Sequence, residues 1–188
     1  IVGADDVLIA DGHHRYAISR TYRDEVRRAS GRTGTDAELT LTFVNELVAD
    51  QLSIEAIHRV YTRVTAARLA DELAAHFDLS PAGDPTPATL AEMNDTGRLM
   101  LLTAAGAHWL TPREGAFDGV RALDGAWLEH ALAASEAEVG YQHGLAEVAG
   151  LVASGAVPAA VLIRPTSLDE IERTAREGLL MPPKSTFF

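Results

Sequence analysis

VLIADGHHRY, residues 7–16, runs from an apolar triplet straight into a dense polar cluster, and its reading decides how the rest of the chain is organised. Val7, Leu8 and Ile9 read as a buried strand, Asp11-Gly12 as a sharp turn, and His13 onward as a helix. Such a unit sets one carboxylate, two imidazoles and a guanidinium close to the exposed N–H groups of a helix start, which is a site for an anion, most simply a phosphate. Gly12 can take a positive φ and lets a ligand approach the main chain. Arg15 can offer a bidentate fork to phosphate oxygens, and His13 or His14, titrating near neutrality, can donate a hydrogen bond or move a proton. Asp11, an anion where another anion should bind, makes sense as a metal ligand, a base, or a clamp on a histidine or on Arg15. The plainer alternative is that Asp11 caps the helix while the others decorate its first turn. Five such residues in a row after an apolar run favour the functional reading.

Outward from the motif, Ile18, Tyr22, Val26 and Ala29 recur at helical spacing and should bury one face of a helix ending near Ser30-Gly31. Arg20, Arg23 and Arg27 form a second stripe, read as a solvated basic face offset by Asp24 and Glu25. Residues 38–45, ELTLTFVN, read as a strand, and residues 53–64, SIEAIHRVYTRV, as a strand or strand-turn pair interrupted by His58-Arg59. Taken alone, that pair is a surface or satisfied core pair more often than a ligand site. Residues 66–77 read as a helix burying Leu69, Leu73 and Phe77. Residues 80–89 hold three prolines and a glycine and read as a loop, with Pro87 opening a short helix through Met93. LMLLT and HWLT are expected as two strands turning at Ala105-Gly106. Asp124 can cap a helix presenting Trp127, Leu128, Ala131 and Leu132. A further amphipathic helix carries Leu145, Val148, Leu151 and Val152, and residues 157–163 form a buried strand. Ser167 to Glu170 is a capping box before a helix burying Leu168, Ile171 and Ala175. His108, His130 and His143 stand singly, without a partner at ligand spacing. The pattern is that of an α+β (mixed α/β) protein, expected as a single compact unit over residues 1–188 and as the C-terminal part of a longer chain.

The strand-DGHHR-helix unit resembles the ParB/sulfiredoxin-like superfamily, in which the corresponding turn and helix start hold a nucleotide phosphate. IADGHHRYAISRTYRDE, IHRV at residues 57–60, RPTS at 164–167 and MPPKSTFF at 181–188 resemble a more specific group, the bacterial and archaeal family catalogued as domain of unknown function 1015. These markers lie in the family's order and reach both ends of the chain. The superfamily also includes ADP-dependent kinases of free serine that carry a similar DGHHR turn. The resemblance implies a ParB/sulfiredoxin-like core and draws His58 and Arg59 towards the site. It also draws in Lys184, Ser185 and Thr186, which can give a phosphate a point charge and hydroxyls. The ending is not a P-loop, because Pro183 sits where such a loop needs a backbone N–H.

Composition bounds the function. The 188 residues are 47% hydrophobic with a formal net charge of -11, which argues against a general nucleic-acid or membrane surface. No apolar run approaches a membrane span. There are no cysteines, which removes disulfides, thiolate nucleophiles, cysteine zinc sites and the chemistry of sulfiredoxin itself. A cytoplasmic enzyme or binding protein fits, and a homodimer is compatible with it.

Together these readings imply a nucleotide-dependent enzyme, a small-molecule phosphotransferase resembling the serine kinases. ATP or ADP with Mg²⁺ would be the cofactor. Gly12, His13, His14, Arg15, His58, Arg59, Lys184, Ser185 and Thr186 would contact the nucleotide. Asp11 would hold the metal or, with His13 or His14, handle the proton of a substrate hydroxyl. The alternative is a ParB-like, nucleotide-gated binding or sensing protein without small-molecule chemistry.

Overall fold

The computed structural model describes residues 7–9, 12–44, 54–179 and 181. In chain order its elements are α1 (His13–Ser30), a 3-10 turn (Asp36–Glu38), β1 (Ile57–Thr62), α2 (Ala66–Leu73), β2 (Phe77–Ala82), α3 (Pro87–Thr96), β3 (Leu99–Thr103), β4 (Gly106–Pro112), α4 (Asp124–Ala131), β5 (Glu138–His143), α5 (Leu145–Ala153), β6 (Ala159–Leu162) and α6 (Leu168–Arg176). The mixed α and β class expected from the sequence is what is found. Two compact units are distinguished, one from residues 1–52 with 168–179, the other from residues 53–167 with 180–188.

The second unit is built on a six-stranded sheet in the order β2-β4-β3-β6-β1-β5, antiparallel throughout. Both faces are covered. On one, Leu69 and Leu73 of α2 and Leu128 of α4 pack with Phe77, Leu99, Leu101 and Val161. On the other, Met93 of α3 and Val148 and Val152 of α5 pack with Met100, Leu102, Ala160 and Leu162. Burial on both sides is why LMLLT and AAVL are apolar without alternation.

Local chemistry accounts for the ends of these elements. Pro87 occupies the first turn of α3, as expected, and Thr86 and Thr89 add a reciprocal capping box. β3 and β4 are joined across Ala104-Ala105, where the Ala105 N–H donates to Thr103 Oγ1 (3.2 Å) and that hydroxyl donates to the Gly106 carbonyl (3.0 Å). The helix expected over residues 66–77 stops at Leu73. Phe77 is fully buried, as expected, yet from the first position of β2. The loop expected from Ser80 begins later, because β2 continues to Ala82 through Pro81. β2 lies at the end of the strand order, where a residue without an N–H is tolerated. β5 had no counterpart in the sequence reading. Its mostly exposed residues surround Gly140, which faces Val60 in register, and a Cβ at Gly140 would lie 2.9 Å from Val60 Cγ2. A side chain there would have to displace Val60, and the glycine between Val139 and Tyr141 breaks up a short, mostly exposed strand pattern.

The first unit departs further from expectation. α1 runs over the expected residues and ends at Gly31, which takes the left-handed C-cap conformation with φ 63°. Its apolar stripe is not buried as a face: Ile18 is 69% exposed, Tyr22 and Ala29 are exposed as well, and Val26 alone of the four is half-buried. The side turned inward instead carries Ser19, Arg23, Val26 and Arg27, all half-buried. Arg27 makes a two-pronged ion pair with Glu38, with Nε to Oε1 at 2.7 Å and Nη2 to Oε2, and this ties the 3-10 turn to the helix. That pair and Arg23 with Asp24 neutralise much of the arginine stripe, Glu38 serving where Asp24 and Glu25 alone were expected. The strand expected at residues 38–45 is not formed over its described part. Leu41 is fully exposed and Leu39, Phe43 and Val44 are exposed too, since alternation alone cannot make a strand without a ladder partner. Val7, Leu8 and Ile9 likewise form no strand, and Val7 is exposed. In α6, Ile171 and Thr174 are buried while Leu168 and Ala175 are half-buried; the Thr174 hydroxyl donates to the Glu170 carbonyl (2.6 Å).

Candidate functional site

At the opening of α1, the positive φ of Gly12 and the helix from His13 are as the sequence called for, while the preceding strand is not formed. Gly12 is the N-cap residue and sits in the left-handed region at φ 85°, ψ 22°; its carbonyl accepts the first helical hydrogen bond from the Tyr16 N–H (2.9 Å). A glycine offers no capping side chain, and the first turn holds no acidic residue to cover the positive end of the helix. Arg15 folds back over this point. A Cβ on Gly12 would lie 3.2 Å from Arg15 Nη2 and 3.3 Å from Nε, so the guanidinium rests directly on the glycine. A side chain at position 12 would therefore be strained by its backbone angle and would push the arginine away. His13 and His14 are exposed on the first turn. Backbone donors and a guanidinium converging on one point suit an oxyanion.

The other candidates are placed differently. His58 and Arg59 are adjacent in β1, in the second unit, and are only 2% and 3% exposed. His58 Nδ1 accepts the Ile163 N–H (3.2 Å), so the ring proton of the neutral form sits on Nε2. Burial, helped by the Arg59 charge, lowers its pKa to about 4, and the imidazole is neutral near pH 7. Arg59 donates through Nη1 to the Ile57 carbonyl (2.6 Å) and stacks on Tyr141, with the guanidinium carbon 4.8 Å from the ring centroid. Asp11, Lys184, Ser185 and Thr186 lie outside the described residues.

A further charged pair was missed by sequence reasoning. Asp124, the first residue of α4, accepts from the Arg164 N–H (2.7 Å) and from Arg164 Nε (3.1 Å) and Nη2. Arg164 also lies over Trp127, 5.6 Å from the ring centroid. The Asp124 carboxylate raises the pKa of Arg164 above the usual guanidinium range. In the sequence Asp124 suits a helix cap and RPTS a family marker; no local pattern joins two residues forty positions apart.

A family model described as "Protein of unknown function (DUF1015)" matches residues 2–126. The chain belongs to this family. The matched stretch carries the DGHHR turn and the IHRV strand, both family features in the sequence reading. No curated protein sequence matches the chain. Among solved structures, a free serine kinase in complex with AMP is similar over 100% of this chain and 69% of its own, with TM-score 0.58 and 13% identity. A mutant free serine kinase in complex with ADP is similar over 100% and 70%, with TM-score 0.55 and 15% identity. A conserved hypothetical protein from Pyrococcus furiosus is similar over 98% and 71%, with TM-score 0.56 and 13% identity. At such identities these likenesses establish the fold. No helix among the described residues is long and apolar enough to cross a membrane.

Proposed function

We propose that this protein is a cytoplasmic, adenine-nucleotide-dependent enzyme that transfers a phosphoryl group to a small molecule. The observation that carries the reading is Arg15 folded over a left-handed Gly12, an N-cap residue that brings no side chain to the helix start. Support comes from the fold shared along the whole chain with free serine kinases in complex with AMP and ADP, and from the turn's resemblance to the ParB/sulfiredoxin-like superfamily. In this reading the backbone of residues 12–15 and the Arg15 guanidinium hold the phosphates of ATP or ADP, and positioning and charge neutralisation supply most of the catalysis.

In the transfer, an acceptor hydroxyl oxygen forms a bond to the terminal phosphorus as the bond to the bridging oxygen breaks. The bridging oxygen leaves with the electron pair, on ADP or AMP, and the hydroxyl proton passes to Asp11, His13 or His14. Mg²⁺ is part of the proposal only through Asp11 and the nucleotide's own phosphates, the usual division for that ion. Among the described residues no cluster of three or more histidine or acidic side chains could hold a metal.

Calorimetric titration of ATP and ADP with Mg²⁺ into the protein and its Arg15→Ala variant tests the assignment. Loss of one charge-assisted fork should weaken the bound nucleotide about ten- to a hundredfold. Unchanged affinity in the variant would remove Arg15 from the phosphate site. Dimerisation on nucleotide without turnover would replace the enzyme with a nucleotide-gated binding protein.

A further inference from the structure

The first unit also holds a cleft along α1, further from the helix start. It lies between the helix and the segment that follows the 3-10 turn, and Tyr16, Ser19, Arg20, Arg23, Glu38 and Thr40 line it. At about 100° per residue, Tyr16, Ser19, Arg20 and Arg23 fall within an arc of roughly 100° that includes the direction of Gly12. Cleft and turn thus share one side of the helix. At about 1.5 Å per residue, Tyr16 and Ser19 stand roughly 6–10 Å along the axis from Gly12.

Size and charge narrow what the cleft takes. Its volume is about 60 Å³. At roughly 10–15 Å³ for each water-sized centre, that is room for about four to six such centres, enough for a small polar headgroup. Glu38 is neutralised by Arg27, whose guanidinium holds the Glu38 carboxyl below the usual carboxylate range. Arg23 is paired with Asp24 at 2.8 Å. With those two pairs cancelled, Arg20 leaves the described residues of the cleft one net positive charge, and the hydroxyls of Tyr16, Ser19 and Thr40 add hydrogen-bonding partners. One positive charge in so small a space, among neutral donors, matches a carboxylate better than a doubly charged phosphate.

We infer that this cleft binds the carboxylate of the phosphoryl acceptor, which is accordingly a small hydroxy acid. The inference rests on the phosphotransferase reading: a hydroxy acid anchored here points its hydroxyl along α1 towards the phosphates held at Gly12 and Arg15. Arg20 is a substrate-binding residue in this scheme, and an uncharged polyol of the same length is a poor acceptor.

The test follows the arginine side-chain Nε–H signals of the ¹⁵N-labelled full chain by NMR during separate titrations with acetate, inorganic phosphate and ADP. Acetate should shift the Arg20 and Arg23 signals saturably, and Arg20→Gln should weaken that response about tenfold while leaving the ADP titration unchanged. A linear or absent acetate response overturns the inference. Tighter binding of inorganic phosphate than of acetate at these arginines overturns the carboxylate assignment. ADP that leaves the Arg15 signal unmoved overturns the nucleotide reading instead, and with it the acceptor role, whatever acetate does at the cleft.

Discussion

Asp124→Ala is expected to destabilise the sheet unit by about 3 kcal/mol, at the lower end of the roughly 3–5 kcal/mol seen when one partner of a buried ion pair is removed. The lower end applies because the Arg164 side chain keeps 23% of its surface in solvent, whereas that of Asp124 keeps 5%. Two losses combine in this variant. The Arg164 guanidinium is left over Trp127 without its carboxylate, and the Arg164 backbone N–H at the end of β6 loses its acceptor. The carboxylate also lies in the field of the buried Arg59, so its removal leaves that cation less compensated. Urea denaturation followed by circular dichroism measures the effect. Asp124→Asn, which retains an acceptor for the backbone N–H, should lose less. The double variant Asp124→Ala with Arg164→Met should recover part of the loss, because no half-buried cation is left unpaired. A single-variant cost below about 1 kcal/mol would show that the pair is not a structural clamp.

His58 predicts how stability responds to acid. In the folded chain its pKa is about 4. An unfolded histidine titrates near 6.5, so between these values the unfolded state binds the extra proton and the folded state does not. The stabilisation is therefore complete above about pH 6.5 and is lost as the pH falls towards 4. The full difference is about 3 kcal/mol at 1.36 kcal/mol per pH unit. Its cause is burial first and the neighbouring Arg59 second. Urea midpoints between pH 7.5 and 4.5 should fall accordingly in the native chain. In His58→Asn the amide oxygen can still accept from the Ile163 N–H but has no proton to gain, so its acid slope should flatten by that amount. Equal slopes in the two proteins would show that His58 is protonated as easily in the fold as out of it.

Much of the fold could be read locally. Pro87 announced the start of α3, Gly31 the end of α1, and the apolar runs at residues 99–103 and 159–162 two central strands. Each rests on interactions within a few residues or on a strand buried from both sides. Reading failed where a distant partner decides. Phe77 sits at a spacing equally suited to the next turn of a helix, and only the ladder with β4 makes it a strand residue. Pro81 marked a loop until the place of β2 at the end of the strand order made a proline admissible. β5 was missed because Gly140 interrupts a short, mostly exposed pattern and its one ladder partner, β1, lies about eighty residues earlier. Ile18 and Leu41 matched a helix stripe and a strand alternation, yet apolar spacing states which residues can be buried together and not what buries them.

The same division runs through the site. The sequence by itself determined that a glycine able to adopt positive φ stands before a helix, with a guanidinium three residues on, because one helical turn brings residue 15 back beside residue 12. It determined as well that cysteine chemistry is absent and that the chain is an acidic α+β protein. Only the tertiary structure decided that His58 is neutral inside a covered sheet, and that Asp124 answers Arg164 rather than capping its own helix. It alone decided that Glu38 folds back onto Arg27 to close the wall of a cleft. A pKa, an ion pair across forty residues and a cleft all depend on distances set by packing, which one-dimensional spacing does not contain.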